Sequence, residues 1–347
     1  MKIKIFITVS FLCLIAGCER EPAGNLTVTT GDIEIFAGDT YILNGSVAGS
    51  YGTEITEHGF CWSESENPVI DEKSVHLGVR SSDGDFSCIL AGFSTSTTYY
   101  VKAFAIAGTS TYYGEVKSFT TPEKFPLVVI DIDKNIYSAV EIGSQVWMAE
   151  NLKAVRYSDG TAIPRVEDQK AWFDFTMYSS AYCWYENYSA TGAAYGALYT
   201  WPAANRVSSA DEVISGKVQG VCPDGWHLPS DDEWKQLEMY LGMSLPESGM
   251  EDWRGTDEGG KIKSEGILQW QSPNTGATDE ISFGALPAGW RDGSGYFKNL
   301  GKGTKFWSSS LRGDYAWMRE LSYNSAQIYR GTKGLYEGIS VRCVKDN

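Results

Sequence analysis

The chain is 347 residues long, with a formal net charge of −15 and an apolar content of 42%. Such acidity excludes a nucleic-acid binder that works by neutralising phosphates, and it excludes a polybasic grip on anionic lipid. Seven cysteines and three scattered histidines, with no C-x-x-C spacing, match no zinc or dithiol pattern, so no metal or other cofactor is expected.

In chain order, residues 1–17 read as a signal peptide. Lys2 and Lys4 precede a short apolar run from Ile5 to Ile15, too short to span a bilayer in the mature protein. The run ends in Ile15-Ala16-Gly17-Cys18, which resembles the bacterial lipobox. That resemblance implies cleavage before Cys18, lipid on this residue, and membrane attachment through the acyl chains. Glu19 after the cysteine is more similar to an outer-membrane address than to an inner-membrane one. The expectation is an outer-membrane lipoprotein, facing either the periplasm or the medium, with residues 18–25 as its tether. Cys13 leaves with the leader. Cys61, Cys88, Cys183, Cys222 and Cys343 remain, and an odd number in an oxidising compartment predicts two bridges and one spare thiol.

Residues 26–122 are rich in alternating strands separated by Gly, Ser, Asn and Thr turns. Tyr41 to Val47, His58 to Trp62, Phe86 to Leu90, Thr98 to Ala105 and Tyr113 to Phe119 predict an antiparallel all-β sandwich. Gly59-Phe60-Cys61-Trp62-Ser63, Leu90-Ala91-Gly92-Phe93, Thr97 to Ala103 and Phe119-Thr120-Thr121-Pro122 resemble the fibronectin type III-like, immunoglobulin-like modules of Bacteroidetes surface proteins. The resemblance implies a spacer or a binding platform. Phe86, Cys88 and Leu90 share one face. Cys61 bridges Cys88 if it also points inward; otherwise both are buried free thiols, and the Cα separation decides.

Residues 123–127 form the linker, and all tryptophans except Trp62 lie beyond it. In the second module, residues 128–347, Leu127 to Ile132, Ile136 to Ile142 and Gln145 to Met148 predict a three-strand meander. Asp131-x-Asp133-x-Asn135 hints at a calcium loop, but Ile136 stands where such a loop needs Gly and Ile142 where it needs Glu, so a turn is expected. Tyr157 to Tyr199 is turn-rich and aromatic. Cys222-Pro223-Asp224-Gly225 then makes a tight turn into Trp226-His227-Leu228-Pro229. Ser230 and Glu233 have capping-box spacing, and Trp234, Leu237 and Leu241 line one face of the helix that follows. Gly259 to Lys263 predicts one more helical turn.

Eight blocks in order resemble the Fibrobacter succinogenes major paralogous (FISUMP) domain of Fibrobacteres and Bacteroidetes. They are Asp131 to Tyr137, Ile142 to Leu152, Tyr157-Ser158-Asp159-Gly160, Tyr195 to Tyr199, Gly225 to Pro229, Ala285 to Gly289, Phe306 to Ser309 and Ser340 to Val344. The family looks like an offshoot of the C-type-lectin-like fold near the formylglycine-generating enzymes. That implies an α+β C-type-lectin-like domain with few helices and long loops, whose first and last strands meet. The meeting would bring Cys222 to Cys343 as a disulfide and leave Cys183 as the spare.

The lectin-like resemblance, the surface address and the aromatic loops together predict a binding head for a glycan or a protein. Trp147, Trp226, Trp234 and Trp307 sit in motif strands or the helix and belong to the core. Trp253, Trp270 and Trp290 lie among Gly, Asp, Ser and Asn, so they are the ligand-binding candidates. The sugar-binding signatures of C-type lectins, Glu-Pro-Asn or Gln-Pro-Asp followed by Trp-Asn-Asp, do not occur in the module. No catalytic residue is assigned: His227 has no nucleophile at a recognisable spacing, the acids after Ser230 suit a helix N-terminus, and Cys222 and Cys343 are expected in the bridge. The alternatives are a passive component of a surface assembly and an enzyme related to the formylglycine-generating branch.

Overall fold

In the computed structural model, which describes residues 26–50, 53–213 and 216–346, contacts divide the chain between Phe125 and Pro126. The leader and Cys18 lie outside the described residues. No helix among the described residues is long and apolar enough to cross a membrane.

The first unit is built by period-two alternation. Its strands are β1 (Thr27–Ala37), β2 (Thr40–Ala48), β3 (Ile55–Ser63), β4 (Lys73–Arg80), β5 (Gly84–Leu90), β6 (Thr98–Ala107), β7 (Ser110–Tyr113) and β8 (Lys117–Thr120). One sheet runs β1-β2-β5; the other runs β4-β3-β6-β7, with β8 also paired to β6. This is a fibronectin type III-like sandwich. Leu43 and Val47 from one sheet meet Phe60, Val101, Ala103 and Ala105 from the other. Strand β3 approaches β4 so closely that a Cβ on Gly59 would run into the Val75 carbonyl, which is why glycine stands there.

The Cys61–Cys88 bridge does not form; both are free thiols. Phe60 and Trp62 pack into the sandwich, so strand alternation turns Cys61 to the opposite face, where its thiol donates to the Lys102 carbonyl at 3.7 Å. Cys88 packs on the inner side beside Phe86 and Leu90. Instead of two bridges and a spare, the five cysteines give one bridge and three free thiols, Cys183 being the third.

The second unit opens with the meander β9 (Val128–Ile130), β10 (Ile136–Ile142) and β11 (Gln145–Met148). The turn between β9 and β10 spends its carboxylates locally. Asp131 accepts from the Asn135 backbone (2.9 Å), the Asn135 amide (2.8 Å) and the Tyr137 hydroxyl (2.5 Å), and Asp133 accepts from Val155 N and Arg156. Short elements follow: α1 (Gln169–Phe173), β12 (Tyr182–Cys183), α2 (Ser189–Tyr195), β13 (Leu198–Tyr199), α3 (Trp201–Asn205) and β14 (Trp226–His227). Helix α4 (Asp231–Tyr240) starts on the reciprocal Ser230–Glu233 capping box and buries Trp234 and Leu237. After α5 (Leu245–Ser248), β15 (Asp252–Arg254) and α6 (Glu258–Ile262) come β16 (Ala288–Arg291), β17 (Phe297–Leu300), β18 (Gly303–Arg312), β19 (Tyr315–Ser322), β20 (Ile328–Gly334) and β21 (Val344–Lys345).

Strand β21 enters the first sheet between β14 and β11, in the order β14-β21-β11-β10-β9. Trp147 and His227 both pair with Val344, so the chain end is stitched to the start of the module. The Cys222–Cys343 disulfide fastens the same place, with Cα atoms 5.9 Å apart. The second sheet has six strands, β15-β20-β19-β18-β16-β17, antiparallel except where β16 runs parallel to β18. One face of it carries Phe306, Leu321 and Ile328 against Trp234 of α4 and Trp147 of the first sheet. The other face carries Trp307, Ala316 and Met318 against Trp201, Ile339 and Val341.

The long loop from Lys263 to Ala285 has little sheet pairing of its own, and buried side-chain donors satisfy its carbonyls instead. Lys263 Nζ donates to Thr275 O (2.8 Å), Ser322 O (3.0 Å) and Ser325 O (2.9 Å). Arg342 donates to the carbonyls of Phe283 and Gly284 and, through Nε, to Asn151 at 2.9 Å.

Candidate functional site

Pairing registers align one row of side chains across the six-stranded sheet. Trp253 of β15 lies opposite Tyr329 of β20, Tyr329 opposite Glu320 of β19, and Glu320 opposite Lys305 of β18. Parallel pairing of Gly289 with Thr304 brings Trp290 of β16 alongside Lys305, and Lys298 of β17 lies opposite Trp290. Directly opposite residues share a face, so these six side chains form a continuous line.

The contacts along the row agree with the register. The rings of Trp253 and Tyr329 meet edge-on, with centroids 5.5 Å apart at 65°. Tyr329 lies over β20 itself, where a Cβ on Gly331 would come within 2.6 Å of its ring; only glycine leaves that space. Lys305 Nζ stands 3.8 Å from Glu320 and 3.8 Å from the centre of the Trp290 ring. Glu337, in the loop after β20, approaches the same ammonium at 3.7 Å, and Lys333 is 4.0 Å from Glu337.

The electrostatics follow from burial, which deepens from Trp253 to Lys305. Trp253 is 38% exposed, whereas Lys305 is only 3% exposed. Burial lowers the Lys305 pKa despite the opposing pull of Glu337 and Glu320. Burial likewise raises the carboxyl pKa of Glu320 and Glu337 against the nearby lysines. The Tyr329 hydroxyl is raised by burial and then by Asp252. An exposed aromatic corner thus stands in line with a group of buried charges, an arrangement suited to a polar ligand with an apolar face.

Residues 140–345 match a family model, the Fibrobacter succinogenes major domain. The chain belongs to this family. The whole row lies inside the matched segment of the Fibrobacter succinogenes major domain. No curated protein matches the chain. Among solved structures it is similar to the sensor domain of the anti-sigma factor RsgI4 in Pseudobacteroides cellulosolvens. That likeness has 13% identity and a TM-score of 0.22, and it covers 28% of this chain and 94% of that one. It is also similar to a human fibronectin type III domain, at 18% identity and a TM-score of 0.20, over 29% of this chain and 74% of that one.

Of the three tryptophans expected to face a ligand, only Trp253 is open to solvent. Trp270 is 1% exposed: its indole donates to Ala285 O at 2.9 Å, and it packs in the core beside Trp234 and Phe283. Its polar sequence neighbours belong to a loop folded inward around Lys263, whose ammonium lies 5.4 Å from its ring. Trp290 is buried too, in a strand rather than a loop, and reaches the site only through Lys305. The structure therefore joins Trp253 and Trp290 in one row and removes Trp270 from it. Tyr329, Glu320, Lys305, Lys333 and Glu337 escape a sequence reading. The alternation of Tyr315 to Leu321 could have placed Glu320 on the face of Met318, but the partner across the strand is set by register.

Within this Fibrobacter succinogenes major domain, the residues first weighed for catalysis are held by the scaffold. His227 is buried, with Nδ1 2.6 Å from Asp346 and Nε2 2.7 Å from Glu233, so both ring nitrogens are occupied. Cys222 and Cys343 are joined to each other. Burial pushes the free Cys183 thiol up to about 12, against the opposing influence of Arg291, and it stays protonated at neutral pH.

Proposed function

We propose that this protein is a lipoprotein held at the outer membrane by lipid on Cys18, and that its second unit is a binding head for a glycan or a protein. In this reading the fibronectin type III-like unit is the spacer, and the head follows the C-type-lectin-like plan implied by its family resemblance. The observation that carries the proposal is Trp253, exposed and set against Tyr329 at the open end of a row of charged side chains. Large aromatics held rigidly at a surface beside polar groups are typical binding anchors. The disulfide supports an oxidising compartment.

The test has two arms. Protease shaving of intact cells removes the head if it faces the medium. Arrays of glycans and of extracellular proteins, probed with the full chain after its leader, give saturable binding on at least one surface. If neither array yields saturable binding, the binding-head reading is wrong and the passive structural role takes its place.

A further inference from the structure

The charges at the centre of the row face one another without touching. Lys305 Nζ is 3.8 Å from Glu320 and 3.7 Å from Glu337, both beyond the length of a charge-assisted hydrogen bond. Glu337 Oε2 is buried with no hydrogen-bond partner among the described residues. The spacing is built in: Lys305 and Glu320 are fixed on paired strands, and the ammonium rests on the Trp290 ring. A buried acceptor left in this state calls for a donor to reach it.

A hydroxyl fits. It accepts from an ammonium and donates to a carboxylate at once, and its oxygen can stand at hydrogen-bond length from two atoms 3.7–3.8 Å apart. Charge narrows the choice further. Lys305 and Lys333 balance Glu320 and Glu337, so these four side chains carry no net formal charge to favour an anion or a cation. Beside it, the edge-on pair of Trp253 and Tyr329 offers an apolar corner to the C–H face of a sugar ring.

We infer that this row is a subsite for a neutral glycan, in which Trp253 and Tyr329 pack on one pyranose ring and its hydroxyls enter between Glu320, Glu337 and Lys305. The inference rests on the binding-head reading and specifies its ligand and its place. A peptide ligand would use the aromatic corner but would leave the gaps between the charges unfilled.

The experiment is titration calorimetry on the full chain after its leader, with Cys18→Ser to keep it free of lipid. The probes are cellohexaose, xylohexaose and mannohexaose, with hexagalacturonate as the anionic counterpart. At least one neutral hexasaccharide binds saturably and hexagalacturonate does not. Trp253→Ala and Glu320→Gln each weaken that binding at least about tenfold, about 1.4 kcal/mol. Trp253 is at the surface, so its variant keeps the wild-type melting temperature; if Glu320→Gln unfolds, Trp253→Ala decides alone. Neutral-sugar binding that survives both substitutions overturns the subsite and leaves the binding head standing. Binding of only hexagalacturonate, or only of a protein on the array, has the same effect. Failure of both arrays removes the head itself.

Discussion

Asp231 and Arg330 meet in a two-pronged ion pair beneath the first turn of α4, with Nε 2.9 Å from Oδ1 and Nη2 2.7 Å from Oδ2. Arg319 adds a third bond to Asp231 at 2.8 Å. Two turns along the helix, Glu238 takes Arg319 at 2.5 Å and Arg254 at 2.6 Å. Each arginine adjoins a member of the row on the opposite face: Arg254 follows Trp253, Arg319 precedes Glu320, and Arg330 follows Tyr329. The cluster therefore fixes from behind the three strands that present the site in front.

Removing one partner strands the others in a buried place. Asp231→Asn is expected to cost about 3–5 kcal/mol, because Arg330 loses the carboxylate that grips it at two points and Arg319 loses one of its two. Urea denaturation of variant and wild type measures it, and a loss under about 1 kcal/mol contradicts this role. Burial opposes ionisation of Asp231, but Arg330, Arg319 and Lys235 outweigh it and hold the carboxyl well below its usual 3.8. A depressed acid contributes stability that is present above its unfolded pKa and lost as pH falls through the folded one. The wild type should thus lose stability below about pH 4 more steeply than Asp231→Asn.

The disulfide makes a second prediction. Cys222 and Cys343 are 121 residues apart in sequence, so their bond closes just over half of the second unit in the unfolded chain. Chain entropy puts the effect at about 4–5 kcal/mol at most. A Cys222→Ser/Cys343→Ser variant should unfold at lower urea by an amount approaching that figure, and reduced wild type should match it. A double variant as stable as the oxidised protein would show that strand β21 holds without the bridge.

These features differ in how far the sequence reveals them. The meander from Leu127 to Met148, the Ser230–Glu233 cap and the core positions of Trp147, Trp226, Trp234 and Trp307 are local patterns, and each is where its neighbours predict. Cys61 was legible as well: its place between Phe60 and Trp62 already turns it away from Cys88. The arginine cluster leaves a fainter signal, because Asp231 and Glu238, seven residues apart, fall on the same helical face as Trp234. The row leaves none. It depends on strands far apart in sequence, and on β16 inserting parallel beside β18, so no local period marks Glu320 as a neighbour of Trp253. Trp270 misleads for a related reason, since polar neighbours look like a surface loop until Lys263 is known to be buried beneath them.

Lys263 supports a third prediction. Its ammonium ties Thr275, Ser322 and Ser325 together through their carbonyls, with no carboxylate hydrogen-bonded to it among the described residues. Lys263→Met keeps the length of the side chain and removes the donors. The loss should be about 3 kcal/mol, since buried acceptors are left unpaired. Hydrogen exchange locates it: amides from Ser264 to Ala285 should exchange faster, while those of the β1–β8 sandwich stay unchanged. Uniform acceleration across both units would mean that Lys263 does not act locally.

His227 gives the last prediction, because its clasp depends on two ionisations. Burial disfavours the imidazolium, but the hydrogen bonds and charges of Glu233 and Asp346 outweigh it and raise the His227 pKa above 6.5. A raised histidine contributes stability that is fully present below its unfolded pKa and lost as pH rises through the folded value. Burial also opposes ionisation of Glu233, but His227 and Ser230 hold its carboxyl below 4.5, so its share is lost as pH falls through that lowered value. The clasp should be strongest between about pH 4.5 and 6.5, at about 1–3 kcal/mol for charge-assisted bonds. The stability difference between wild type and His227→Gln, followed by urea denaturation from pH 4 to 9, should peak in that window and shrink by pH 8. A difference that holds constant to pH 9 would mean that His227 acts as a neutral ring filling space, and that the link from the Trp226 turn to Asp346 rests on the backbone bond from Asp346 N to Gly225 O.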